Sequence, residues 1–168
     1  HGVYWKKPPG DNGEHDMDIR AILSKVDHTL LRPDCTRAEI EALCREAAEF
    51  GTASVCLPPV YVARAAEILE GKVPVCTVVG FPNGYDTTAS KVFQARRALE
   101  DGALEIDMVI HIGAVKEGRY EDVLREIRAV KEACGERILK VIIETALLTR
   151  EEKTALCRVV TESGADFI

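Results

Sequence analysis

Two ionisable residues interrupt runs that are otherwise apolar, Asp107 in "ALEIDMVI" and Lys140 in "ILKVIIE". If both stretches are buried strands, period-two alternation puts Glu105 on the face of Asp107 and Glu144 on the face of Lys140. Burying either charge alone would cost several kcal/mol, so the carboxylate and the ammonium are expected to pair or to relay a proton. A purely structural ion pair, or an exposed strand end, satisfies the same pattern.

Three more residues weigh toward a site. Asp27 and Thr29 alternate on "VDHTLL", and Cys56 lies within "SVCLP". Each has an ordinary reading of its own, since Asp and Thr cap turns and a buried Cys behaves as a small hydrophobe. Together with Asp107 and Lys140 they would gather polar groups from four successive strand units at one mouth. Such a gathering of ionisable groups is characteristic of a functional site.

The elements that would position them follow a repeating grammar. "TRAEIEALCREAAEFG" places Ile40, Leu43, Cys44 and Ala47 on one helical stripe. Thr36 and Glu39 are spaced as a capping box there, and Gly51 closes the helix. "TREEKTALCRVVTESG" repeats the design, with Thr149 and Glu152 as the box, Leu156, Val159 and Val160 as the stripe, and Gly164 at the end. Between them "VYVARAAEILEG", "DTTASKVFQARRALEDG" and "GRYEDVLREIRAVKEACG" read as helices, the last with Val123, Ile127, Val130 and Cys134 in register.

Short β-branched runs separate the helices: "TASVCLP", "VPVCTVVGF", "ALEIDMVIHIG", "ILKVIIET" and finally "ADFI". Near-continuous apolar strands alternating with helices predict a parallel sheet covered by helices, an α/β fold. No glycine-rich phosphate loop follows an early strand, which disfavours a nucleotide-binding doubly wound sheet. The predicted fold is a (β/α)₈ TIM barrel, of which the chain holds roughly the first five and a half βα units. "KVDHTLL" is the expected first strand and "ADFI" the start of a sixth. A flavodoxin-like sheet complete at this length is the structural alternative.

At 168 residues and 46% apolar, the chain is large enough for one well-cored domain, expected over residues 18–168. Residues 1–17 read as an N-terminal extension without the apolar segment of a secretion signal or membrane anchor. The "GEHD" cluster around His15 lies on a polar, Gly- and Pro-rich stretch with no scaffold to fix ligand geometry, so no metal site is expected there. A net charge of −6 argues against nucleic-acid and membrane-surface partners, which demand a basic face. Six cysteines without C-x-x-C spacing read as reduced and the protein as cytoplasmic.

Taken in order, "KVDHTLLRPDCT", "ASVCLPPVYV", "VPVCTVVGFPNG", "EIDMVIHIGAVKEG", "LKVIIETALLT" and "SGADFI" resemble the successive motifs of the deoxyribose-phosphate aldolase family. The resemblance runs from about Ile19 to Ile168. It implies a class I aldolase on a (β/α)₈ barrel, free of cofactor and metal. Such an enzyme reversibly cleaves 2-deoxy-D-ribose 5-phosphate to acetaldehyde and D-glyceraldehyde 3-phosphate through a lysine Schiff base. By the same resemblance, the nucleophilic lysine is expected just after Ile168, and a second lysine and the phosphate-binding loops lie later still.

On this chain the resemblance makes Asp107 the proton-relay aspartate and Lys140 the strand-five lysine bonded to it. Asp27, Thr29 and Cys56 would line the substrate pocket, and Gly80 to Gly84 would shape its mouth. Two departures stand out: His111 where the family has Asn, and Leu57–Pro58 where it has Val-Asn. Lys140 is not expected to replace the missing nucleophile, because Asp107 beside it favours the ammonium. The chain by itself is therefore expected to be inactive. Its implied partners are phosphosugar and aldehyde substrates, and a homodimer is compatible with it. The alternatives are another phosphosugar barrel enzyme, or a non-catalytic half-barrel that oligomerises through open sheet edges.

Overall fold

The computed structural model describes residues 19–168, so the extension and the cluster around His15 lie outside the described residues. After a short helix α1 (Ile19–Leu23), strands and helices alternate. They are β1 (Asp27–Thr29), α2 (Arg37–Phe50), β2 (Ser54–Leu57), α3 (Val62–Leu69), β3 (Val75–Val79), α4 (Thr88–Glu100), β4 (Glu105–Val109), α5 (Ile112–Lys116), α6 (Tyr120–Cys134), β5 (Ile138–Ile142) and α7 (Arg150–Ser163). The five strands form one sheet in the order β1-β2-β3-β4-β5, every neighbouring pair parallel. This is the expected α/β architecture, with sequential strands adjacent as in a barrel wall.

Both predicted capping boxes form. The Thr36 side chain accepts the Glu39 N–H while the Glu39 carboxylate accepts the Thr36 N–H, and Thr149 and Glu152 do the same at α7. Each such cap stabilises its helix by about 1 kcal/mol. Ile40, Leu43, Cys44 and Ala47 of α2 are buried, as are Val123, Ile127, Val130 and Cys134 of α6. They pack on the outer face of the sheet with Val55, Leu57, Ile106, Met108, Leu139 and Val141. The inner face carries the alternate residues, among them Cys56, Cys76 and Val78, which form a separate small cluster.

Helix α4 departs from apolar patterning. Its buried face is Lys91, Ala95 and Ala98, whereas Phe93 is 71% exposed. The small alanines let the helix approach the sheet closely and leave room for the lysine stem.

Beyond β5 the described residues add one further pairing. Phe167 forms an isolated parallel bridge with Lys140, and its carbonyl oxygen accepts the Val141 N–H at 3.0 Å. Strand β5 is shorter than the sequence suggests. Glu144 takes a left-handed conformation (φ 51°) and opens a 3₁₀ turn over Thr145–Leu147. Regular strand alternation therefore stops before Glu144, which is exposed.

Candidate active site

The register fixes which inward residues meet. Asp27 is aligned with Ser54, Cys56 with Cys76, Cys76 with Glu105, and Asp107 with Lys140. The Lys140 ammonium is the hub. Its Nζ lies 2.8 Å from Glu105 Oε2, 2.9 Å from Asp27 Oδ2 and 3.2 Å from Asp107 Oδ1. It also donates to Cys76 Sγ at 3.5 Å. Ser54 Oγ donates to the second oxygen of Asp27 at 2.7 Å, and Cys56 Sγ approaches Asp107 Oδ2 at 3.9 Å. Four of the five residues singled out in the sequence are thus gathered around one cation.

The fifth, Thr29, ends β1 in an exposed position, and its hydroxyl donates to the Asp27 carbonyl oxygen at 2.8 Å. That contact is the local turn role open to a threonine.

Electrostatics follows from this crowding. Burial alone would push the pKa of Lys140 down, but Cys76, Glu105, Asp27 and Asp107 push it up, and the net direction is strongly upward. The carboxylates are the groups that matter, because the Cys76 thiol is itself held protonated by Cys56, by burial and by Asp107. Lys140 is therefore a permanent cation at neutral pH. For Asp27, burial works against ionisation, yet hydrogen bonds from Lys140 and Ser54 outweigh it and lower its pKa. Asp107 Oδ1 has no hydrogen-bond partner. It meets the Lys140 ammonium as a charge, 3.2 Å away.

A cavity of about 570 Å³ lies beside the ends of β2 and β3, lined by Leu31, Pro58, Val78, Phe81 and Pro82 among others, and the residues of the ion cluster are not part of its lining. Leu31 and Val78, which line it, belong to the same apolar cluster as Cys56 and Cys76, so the cavity adjoins the two thiols. The Gly80–Gly84 turn forms one wall. A Cβ at Gly84 would lie 1.9 Å from the Ile110 carbonyl oxygen, at a φ of 73°, so only glycine fits there.

Sequence reasoning missed the groups that hold this turn. Lys91 is fully buried, and its Nζ donates to Gly84 O at 2.7 Å, Val109 O at 2.8 Å and Glu126 Oε1 at 2.7 Å. The other Glu126 oxygen accepts the His111 N–H at 3.0 Å. One buried ion pair thereby ties the Gly80–Gly84 turn to the exit of β4, the strand that carries Asp107. His111 caps α5, its Nδ1 accepting the Ala114 N–H at 3.2 Å, which is a structural role. Cys76 was also missed, although a "VC" pair recurs in "SVCLP" and "PVCTV".

A sequence model of the DeoC/LacD family aldolases matches residues 21–168. The chain is 51% identical over 150 residues to a deoxyribose-phosphate aldolase of Clostridioides difficile, covering 89% of this chain and 68% of that protein. It is 53% identical over 152 residues to one of Streptococcus pyogenes, covering 90% and 68%. Among solved structures, the deoxyribose phosphate aldolase of Aeropyrum pernix superposes with a TM-score of 0.79 at 31% identity, over 88% of this chain and 63% of that one. The chain thus spans about two thirds of the length of the proteins it matches.

Proposed function

The chain belongs to the DeoC/LacD family of aldolases, and on that premise we propose that it carries the acid–base half of a deoxyribose-phosphate aldolase. The reaction is the reversible cleavage of 2-deoxy-D-ribose 5-phosphate into acetaldehyde and D-glyceraldehyde 3-phosphate. The observation that carries this reading is the contact between Asp107 and Lys140 on the inner face, 3.2 Å apart through an Asp107 oxygen that accepts no hydrogen bond.

In the proposed mechanism a lysine expected directly after Ile168 attacks the C1 carbonyl and loses water to give a protonated imine. The electrons of the C2–C3 bond then flow into that iminium and leave an enamine, while the C3 hydroxyl gives up its proton to a base. Asp107 is the group that accepts and returns protons, acting directly or through water. Lys140, 3.2 Å from Asp107 Oδ1, fixes the orientation of that carboxylate. Glu105 and Asp27 hold Lys140 as ammonium, so it serves as a fixed charge and does not compete as nucleophile. Cys56 and the apolar walls of the cavity exclude water from the enamine.

The neighbourhood of Phe167 supports this placement of the nucleophile. Phe167 bridges to Lys140, so a residue shortly beyond it continues along the strand that neighbours the ion cluster. The six free cysteines support a reducing, cytoplasmic setting. Among the described residues, no helix is long and apolar enough to cross a membrane. Self-association, such as a homodimer, is supported by two exposed apolar residues, Val60 and Phe93, that line one shallow depression. The Aeropyrum pernix relative is described as tetrameric.

The test is turnover of 2-deoxy-D-ribose 5-phosphate by the full-length protein, followed by borohydride reduction in the presence of acetaldehyde and peptide mapping. Cleavage together with a reduced adduct on a lysine other than Lys140 is expected. An adduct on Lys140, or turnover that borohydride does not stop, would overturn the mechanism.

A further inference from the structure

We propose that the inner face of the sheet contains a binding site for a soft divalent cation, Zn²⁺ or Cd²⁺, formed by the sulfurs of Cys56 and Cys76 and a carboxylate oxygen of Asp107. The three residues stand on the adjacent strands β2, β3 and β4. Cys56 is aligned with Cys76, and Asp107 is aligned with Val78, two residues further along β3. Their ligand atoms all lie within 4.8 Å of one another, and both thiols are buried. A tetrahedral zinc with Zn–S bonds of about 2.3 Å separates two sulfurs by about 3.8 Å. Small side-chain rotations on a rigid sheet therefore close the site.

Three further features favour a cation there. Asp107 Oδ1 accepts no hydrogen bond and is held only by the charge of Lys140 at 3.2 Å, so a metal competes with that one contact for it. Lys140 donates to Cys76 Sγ at 3.5 Å, an outer contact of the kind that orients a metal ligand and stabilises the thiolate once it forms. Asp27, Glu105 and Asp107 all face this single ammonium, so the carboxylates outnumber the cation around Lys140. Two sulfurs with one oxygen select a soft ion over Mg²⁺ or Ca²⁺, which prefer oxygen ligands throughout.

The binding step involves no redox chemistry. The two S–H bonds break, both protons leave to solvent, and two metal–thiolate bonds form, with water completing the coordination. Both thiols must lose their protons for the ion to bind, so filling the site is favoured by a higher supply of the soft ion. A filled site engages Asp107, so the ion inhibits the reaction. That consequence rests on the proposed function, whereas the site itself rests on geometry.

Cadmium titration of the reduced, full-length protein tests the site. Thiolate-to-cadmium charge-transfer absorption should saturate at one ion per chain. The cadmium-113 resonance of the unsubstituted protein should fall in the range of two-sulfur coordination. Cys56→Ser and Cys76→Ser should each weaken binding by at least about tenfold, while Cys157→Ser, at an exposed position, should leave it unchanged. Absence of the charge-transfer band, a resonance typical of oxygen ligands alone, or a band that survives both inner substitutions would overturn the proposal. Because band and resonance are read without turnover, they decide the site independently of the proposed reaction.

Discussion

Lys140 and Asp27 stand on the two outermost strands of the sheet, yet the ammonium of one lies 2.9 Å from the carboxylate of the other. In a flat sheet, four strand spacings of about 4.8 Å would hold β1 and β5 about 19 Å apart, beyond the reach of two side chains. The contact is a chord across the inside of a curled wall. It also settles which face is the interior, because Glu105 and Asp107 reach the same ammonium.

Removing the hub should loosen the whole wall. Lys140→Met leaves three carboxylates facing one another with no cation, and loss of one partner of a buried pair typically destabilises by about 3 kcal/mol. Urea denaturation should show a fall of that order. A fall below about 0.5 kcal/mol, within the range of ordinary surface substitutions, would mean that water screens the cluster.

Acid sensitivity should trace to Asp27. Its folded pKa is lowered, so the stability it contributes is full above the unfolded value of about 3.9 and disappears as pH falls through the lower folded value. Asp27→Asn should flatten the acid limb of stability measured from pH 6 down to pH 2. Equal slopes for the two proteins in that window would show that other carboxylates govern acid unfolding.

The Lys91–Glu126 pair offers a test of the mouth. Lys91→Met alone strands Glu126 and two carbonyl oxygens in a dry site and should cost about 3–5 kcal/mol. Lys91→Met combined with Glu126→Leu removes both charges and should recover at least about 1 kcal/mol of that loss. Additive losses in denaturant melts would indicate that the two side chains are not coupled.

Gly84→Ala strikes the same turn from its other side, through the close approach to Ile110 O. It should raise KM for deoxyribose phosphate by about tenfold, roughly 1.4 kcal/mol of substrate binding, with kcat within a factor of about two. Steady-state kinetics separates this from simple loss of folded protein, in which kcat falls and KM stays constant.

The readable part of the sequence was the part governed by short-range rules. Capping boxes, terminal glycines and apolar stripes gave α2, α6 and α7 their limits, and two charged residues inside apolar strands pointed to Asp107 and Lys140. Alternation placed Glu105 beside Lys140 because β4 runs unbroken, whereas at Glu144 alternation no longer applies because β5 has ended and the backbone turns left-handed. Lys91 escaped notice because an apolar search follows Val92 and Phe93, while the helix buries a lysine among alanines. Its acceptors come from residues up to 35 positions away, and no local pattern announces them. Thr29 was singled out for the mouth and His111 as a departure from the family pattern, and the side-chain hydrogen bond of each is to nearby backbone, which residue type alone does not reveal.

The central claim is that Asp107 moves protons on the inner face of this wall. The direct measurement is kcat for deoxyribose phosphate cleavage by Asp107→Asn in the full-length protein, with the melting temperature recorded alongside. The account predicts a loss of about 100-fold or more in a protein that still folds and still forms the borohydride-trapped adduct at the usual lysine. A folded variant whose kcat stays within about threefold of the parent would contradict it.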